Sequence, residues 1–153
     1  MLRRLTTTQQ MKNQTSQYGG YLIFAVLASQ LRQIDYGENN MKVFVTGVNG
    51  QLGHDVMNEL YKRGYEATGS DIADTYVGIN DFSPVTTMPY VKLDITDTEE
   101  VNKAVSNFDV IIHCAAWTAV DMAEDDDKVE LVRNVNAHGT ENIAKACKNI
   151  DAK

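Results

Sequence analysis

Cysteine and proline are scarce in this chain of 153 residues, with two of each. Two cysteines, Cys114 and Cys147, exclude a disulfide framework and any zinc ladder of paired C-x-x-C motifs. Two prolines and no low-complexity tract exclude a linker or polyproline protein. Basic charge is also short, at 14 Lys and Arg against 21 Asp and Glu for a net of −7. A nucleic-acid surface needs clustered cations, so nucleic acid is not expected as a partner. The one apolar run of the first forty residues covers 21–28. It is far below the about 20 residues of a membrane span, so no membrane partner is expected. What is present is 43% apolar residues, enough for a core, in a length that suits one domain or part of one.

The composition changes at Met41. Residues 1–40 are rich in Thr, Gln, Asn and Ser and carry Arg3, Arg4, Lys12 and Arg32 against Asp35 and Glu38. The remaining 10 basic and 19 acidic side chains fall in 41–153. The polar lead before the apolar run is long for a secretory signal. Residues 1–40 therefore read as an extension, disordered or partly helical, or as sequence upstream of a true start at Met41. Acidic charge and free thiols fit a cytoplasmic location.

Lys42 to Thr46 is short, apolar and β-branched, as suits a strand buried on both faces. Gly47, Gly50 and Gly53 follow at a spacing of three, and Leu52, Val56, Met57 and Leu60 then recur at helical spacing up to Arg63 and the stop at Gly64. Glycines between a strand and a helix are the setting of a dinucleotide fingerprint. Gly47 allows a tight exit, Gly50 a close backbone approach to a pyrophosphate, and Gly53 close packing of helix on strand. The N–H groups opening the helix then favour an anion. Its first acid is Asp55, so none repels a phosphate at 49–54.

A second strand over 66–70 runs into Asp71, 18 residues after Gly53, near the spacing of the acid that bonds an adenosine ribose. A carboxylate there favours NAD over NADP. No Arg lies between Gly64 and Asp97 to hold a 2′-phosphate, and Lys92 reads as mid-strand. Residues 74–89 read as a long loop with room for a short strand at 76–79. A third strand over 90–93 leads to Asp94, placed to meet an adenine edge, and Thr96 or Asp97 caps a helix with Val101, Ala104 and Val105 inward. The fourth strand is 110–114. Ala115 and Ala116 after it are small enough for a ribose and nicotinamide to lie against the backbone. His113 and Cys114 are adjacent on a strand and point to opposite faces, so no metal site is expected. Residues 125–149 read as one helix, with Val129, Val132, Val135, Ile143, Ala144 and Cys147 on its apolar side. Gly139 marks close packing or a bend, and the acids 124–127 a solvated cap.

Three stretches, 46–53 (TGVNGQLG), 93–96 (LDIT) and 115–124 (AAWTAVDMAE), together with Asn136, resemble the extended branch of the short-chain dehydrogenase/reductase superfamily, and within it the dTDP-4-dehydrorhamnose reductases. The resemblance covers 41–153. It implies an α/β, Rossmann-like doubly wound parallel sheet, truncated after the fourth strand and its helix, with strand order 3-2-1-4. It implies NADH or NADPH as cofactor, held by the loop Gly47, Asn49, Gly50, Gln51, Leu52 and Gly53. Asp71 would take the ribose, Asp94 and Ile95 the adenine, and Ala115, Ala116, Trp117 and Thr118 the path to the nicotinamide. The implied substrate is a dTDP-4-keto-6-deoxyhexose, reduced at C4. A homodimer is left open.

The branch uses a Tyr four residues before a Lys as proton donor, a phenol whose pKa a nearby ammonium lowers. The residues four places after the seven Tyr are Leu22, Ala25, Asn40, Tyr65, Gly69, Asn80 and Asp94. None is Lys, so no catalytic residue is expected within 1–153, and the chain reads as the N-terminal part of a longer enzyme. Two other readings stand beside it: a non-catalytic dinucleotide-binding regulatory module, like the methionine adenosyltransferase regulatory subunit, and an epimerase or dehydratase of the same branch. An unpaired fourth strand would leave the isolated chain marginal or self-associating.

Overall fold

The computed structural model describes residues 41–79, 83–118 and 128–153. The expectations for 1–40, the acids 124–127, the helix start at 125 and residues 119–124 of the third family stretch lie outside the described residues. Four parallel strands form one sheet in the order β3-β2-β1-β4: β1 Lys42–Thr46, β2 Glu66–Asp71, β3 Tyr90–Lys92 and β4 Val110–His113. This is the expected Rossmann-like order. The helices are α1 Gln51–Arg63, α2 Thr98–Val105, α3 Val129–Arg133 and α4 Thr140–Ile150, and a π-helical segment, Asn134–Gly139, joins the last two. No described helix is long and apolar enough to cross a membrane.

β1 lies at the centre of the sheet, and four of its five residues are buried. Strand alternation divides them between two layers. Phe44 enters the layer under α2 and α4, with Leu93, Ile95, Val101, Val105, Ile143 and Ala146, and its ring meets Phe108 at 4.9 Å. Val43 and Val45 face the other side, where α1 lies on β1 and β2 with Val56, Met57 and Leu60 inward. Each such aliphatic or aromatic side chain contributes about 1.5–3 kcal/mol on burial.

The ends of the helices follow local chemistry. Gly64 stops α1 at φ 74°, a left-handed conformation that costs glycine little, and donates to the Leu60 and Tyr61 carbonyls. Of the two expected caps for α2, Asp97 serves: its carboxylate accepts the N–H groups of Glu99 and Glu100, each at 2.9 Å.

Four expectations need correction. Residues 76–79 form no strand. In place of a ladder, the Val77 and Gly78 N–H groups are held by the Asn49 side chain in the turn before α1, and the Tyr76 hydroxyl by His54 of α1. The last helix is not one α-helix, because the π segment Asn134–Gly139 interrupts it. A Cβ on Gly139 would lie 2.6 Å from Ile95 Cδ1, so this glycine is a site of close packing. Ala146, and not Ala144, faces the core with Ile143: three residues on it stays on the same side of the helix, whereas Ala144, one residue on, turns about 100° away; Val129, also expected on the apolar side, is exposed. Finally, the outer edge of β4 is not bare: Ile111 N–H donates to the Lys153 carbonyl at 2.9 Å, and Lys153 N–H to the Asp109 carbonyl at 3.0 Å.

Candidate functional site

The carboxyl ends of β1, β2 and β4 meet around the turn between β1 and α1. Gly47 leaves β1 at φ 72°, and its missing side chain makes room for β4: a Cβ would lie 2.5 Å from Ala115 N. Gly53 has the matching role on α1, where a Cβ would lie 2.2 Å from the Gly47 carbonyl oxygen. Gly50 differs from both. It is exposed, and its nearest neighbour would be the Gly47 oxygen at 3.3 Å. The two outer glycines are therefore consumed by packing, while the middle one opens to the surface.

Gly50 is the N-cap of α1, with no side-chain cap, and the first turn holds no acid. Helix-opening N–H groups without a capping side chain, at the positive end of the dipole, make a cradle for an anion. Gln51 is exposed and Leu52 half-buried beside them. A diphosphate fits this chemistry: donors are present, the side of approach is open, and no carboxylate opposes it in the first turn.

Asp71 ends β2 beside this turn. One carboxylate oxygen accepts Asn49 N–H at 2.9 Å, and the other accepts Ile72 N–H at 2.9 Å. Asn49, expected at the pyrophosphate, uses its side chain otherwise. Its amide donates to the Thr75 carbonyl at 3.1 Å and accepts the N–H groups of Val77 at 2.9 Å and Gly78 at 3.2 Å. Lys92 is not mid-strand but closes β3 in register with Asp71. It forms a 2.6 Å ion pair with Asp74 in solvent, which holds the Asp74 carboxyl below its ordinary range and raises the Lys92 ammonium.

The adenine candidates separate. Asp94 accepts the Thr96 N–H at 2.9 Å and hydroxyl at 2.7 Å at the mouth of β3. Ile95 is buried in the core, and its carbonyl accepts from Asn142. Its side chain fills the space left by Gly139 and so does not reach the surface. Beyond β4, Ala115 packs on the core, while Ala116 and Thr118 are exposed. Trp117 is half-buried, and its indole N–H is buried with no hydrogen-bond partner. The Asn136 side chain clamps the Trp117 main chain, accepting its N–H at 2.7 Å and donating to its carbonyl at 3.1 Å.

Two groups near the site carry no signal in the sequence pattern. His54 on α1 is fully buried, with Nδ1 at 2.6 Å from the Tyr76 hydroxyl and Nε2 at 2.7 Å from Ser83 and 3.1 Å from Asn58. Tyr76 stacks on Tyr90, whose hydroxyl donates to the Ala73 carbonyl. Burial first, and then the charge of Asp55, pushes the Tyr76 phenol up to about 12. The other group is Thr46, buried at the end of β1, whose hydroxyl oxygen lies 2.7 Å from His113 Nδ1. Burial keeps His113 below its ordinary pKa and pushes the Cys114 thiol up to about 11, so Cys114 is a protonated, packed thiol near neutrality.

Residues 41–153 match the family described as RmlD substrate binding domain. The chain is 33% identical over 111 residues to a dTDP-4-dehydrorhamnose reductase of Mycolicibacterium smegmatis, covering 72% of this chain and 28% of that protein. It is 30% identical over 106 residues to methionine adenosyltransferase 2 subunit beta of Danio rerio, covering 68% and 29%. Among solved structures it is similar to a Thermus thermophilus UDP-glucose 4-epimerase in complex with NAD, at a TM-score of 0.61 and 29% identity, covering 74% of this chain and 35% of that one. The chain thus spans about a third of the length of the proteins it matches. With the sheet order, the glycine turn and the family match in agreement, the chain belongs to the RmlD substrate binding domain family.

Proposed function

We propose that this chain is the cofactor-binding part of an NAD(P)H-dependent sugar-nucleotide reductase that converts a dTDP-4-dehydro-6-deoxy-L-hexose to dTDP-L-rhamnose. Residues 41–153 form the dinucleotide-binding unit, and residues 1–40 lie outside it. The observation that carries this reading is the uncapped start of α1 at Gly50, open on its outer side and flanked by Asp71. Main-chain N–H groups of Gln51 and Leu52 would bind the pyrophosphate beside Gly50, whose own N–H donates to the Gly47 carbonyl at 3.0 Å and whose missing side chain leaves the approach open. Asp71 would take the adenosine ribose and disfavour a 2′-phosphate, so NADH is the preferred form. Asp94 and the main chain of Ile95 would border the adenine. Ala115, Ala116, Trp117 and Thr118 would orient the nicotinamide, which when bound supplies the hydride.

The chain contains no Tyr-x-x-x-Lys pair to protonate the carbonyl oxygen. The 153-residue chain should therefore bind NADH and not turn over. Titration with NADH, followed by nucleotide fluorescence, tests the first statement, and no uptake would overturn the reading. Addition of a dTDP-4-keto-6-deoxyhexose, followed by absorbance of the reduced nicotinamide, tests the second. A second reading is favoured by the likeness to the methionine adenosyltransferase subunit: a regulatory module that binds the dinucleotide without chemistry. NADH uptake by a complete protein lacking a Tyr-x-x-x-Lys pair would support it.

A further inference from the structure

An unbroken series of hydrogen bonds crosses the site from β1 to the π segment. The Thr46 hydroxyl oxygen accepts the N–H groups of Cys114 at 3.1 Å and Ala115 at 3.2 Å. Both lone pairs are then in use, so its own proton is left for His113 Nδ1 at 2.7 Å. Nδ1 is thereby an acceptor. A neutral ring must then carry its proton on Nε2, which faces the Thr140 hydroxyl at 3.1 Å. Thr140 donates in turn to the Asn136 carbonyl at 2.8 Å, inside the π segment. The amide of the same Asn136 grips both main-chain groups of Trp117. The side-chain donors Thr46, His113 and Thr140 point one way, from the strand that feeds the glycine turn to the π segment, while the N–H groups of Cys114, Ala115 and Trp117 donate into the two ends of the series.

We propose that His113 is a positioning residue: as the neutral Nε2–H tautomer it links Thr46 to Thr140, and so fixes the π segment whose Asn136 sets the backbone of residues 115–118. The inference rests on the dinucleotide reading for its consequence, since that wall is the one assigned to the nicotinamide half. Thr46 holds the near end of the wall and Asn136 the far end, and His113 is the group that touches both elements. A π turn, which is often found at functional sites, sets the Asn136 carbonyl under the Thr140 hydroxyl and the Asn136 amide against Trp117.

Two measurements on the full chain test this. Long-range ¹H–¹⁵N correlation of the imidazole nitrogens, with His54 and His138 assigned by substitution, reads the tautomer directly. A single Nε2–H form of His113 is expected near neutral pH, and an Nδ1–H form or a mixture overturns the proposal. The second measurement compares NADH with ADP on Thr140→Val and Thr140→Ser. Thr140 is exposed, so the valine variant should fold. Loss of the relay should weaken NADH binding by about five- to tenfold, the value of one hydrogen bond or slightly more, with ADP binding unchanged and serine restoring the parent affinity. Equal weakening of both ligands, or none, overturns it. If the unaltered chain takes up neither ligand, the functional reading falls, and the tautomer alone decides whether the relay exists.

Discussion

The carboxylate of Asp71 accepts the main-chain N–H of Asn49 at 2.9 Å, joining the end of β2 to the glycine turn 22 residues earlier. Its other oxygen is held by Ile72 N–H, so the charge is fixed at the mouth of the proposed site by two main-chain donors. This geometry makes Asp71 both a fastener of the turn and a source of negative potential. Asp71→Asn keeps an acceptor for one of the two donors, sets an NH2 group against the other, and removes the charge. The ratio of NADPH to NADH affinity should rise by about tenfold, a difference of about 1.4 kcal/mol, while the lost main-chain bond lowers stability by about 1 kcal/mol. Parallel titrations with the two nucleotides check it. An unchanged ratio would show that the carboxylate does not discriminate.

The three glycines of the turn should respond differently to alanine. At Gly53 a methyl group would collide with the Gly47 oxygen at 2.2 Å, and the atoms in conflict are backbone on both sides. Gly53→Ala should cost about 3 kcal/mol or prevent folding, at the upper end of overpacking effects. At Gly50 the nearest atom would lie at 3.3 Å and the residue has a negative φ, so Gly50→Ala should fold with nearly the parent melting temperature. Its methyl group would stand where a diphosphate must approach, and NADH affinity should fall at least about tenfold. Calorimetric melting and nucleotide titration separate the two effects. A Gly50→Ala protein with full affinity would remove the proposed pyrophosphate contact.

Periodicity made the sheet and α1 legible, because buried β-branched runs and an i, i+3, i+4 pattern are local signals. The glycine triplet was legible because its three positions have separate steric reasons. Other features depend on contacts far apart in sequence. His54 is a polar residue on the inward face of α1, and its partners Tyr76 and Ser83 lie 22 and 29 residues away. Nothing local marks it as a fastener of the loop, and the same loop, lacking a ladder, was open to a strand reading at 76–79. Ile95 borders a motif that resembles an adenine contact, yet the pocket above Gly139 draws its side chain inward. The π segment follows from that packing and from the Asn136 clamp, and neither is visible in residues 134–139 alone.

His54 should be worth more to stability than its polar surroundings suggest. It is fully buried and meets Tyr76, Ser83 and Asn58 with both ring nitrogens. His54→Ala opens a cavity and leaves the Tyr76 hydroxyl without that partner, so unfolding should be easier by about 2–4 kcal/mol. The released segment should be the loop after β2, which Asn49 would then hold without His54. Urea denaturation gives the first quantity, and limited proteolysis reports whether new cleavage falls at 72–79. A stability within 0.5 kcal/mol of the parent, the usual effect of surface changes, would refute this role.

Acid should loosen the fold through His113. Burial holds its pKa in the folded chain below the ordinary 6.5. Between those two values the unfolded chain binds a proton that the folded chain does not, so stability falls as pH falls. Above pH 6.5 both states are neutral at this residue, and the full contribution is present. Below the folded value both are charged, and the slope from this residue ends. His113→Asn offers an amide oxygen to the Thr46 hydroxyl near the position of Nδ1 and cannot titrate. The difference in unfolding free energy between parent and variant should therefore be constant above pH 6.5 and shrink on acidification, as only the parent is penalised. Urea denaturation at half-unit steps from pH 8 to pH 5 reads this difference, and parallel curves for the two proteins would mean that His113 gains its proton as readily folded as unfolded.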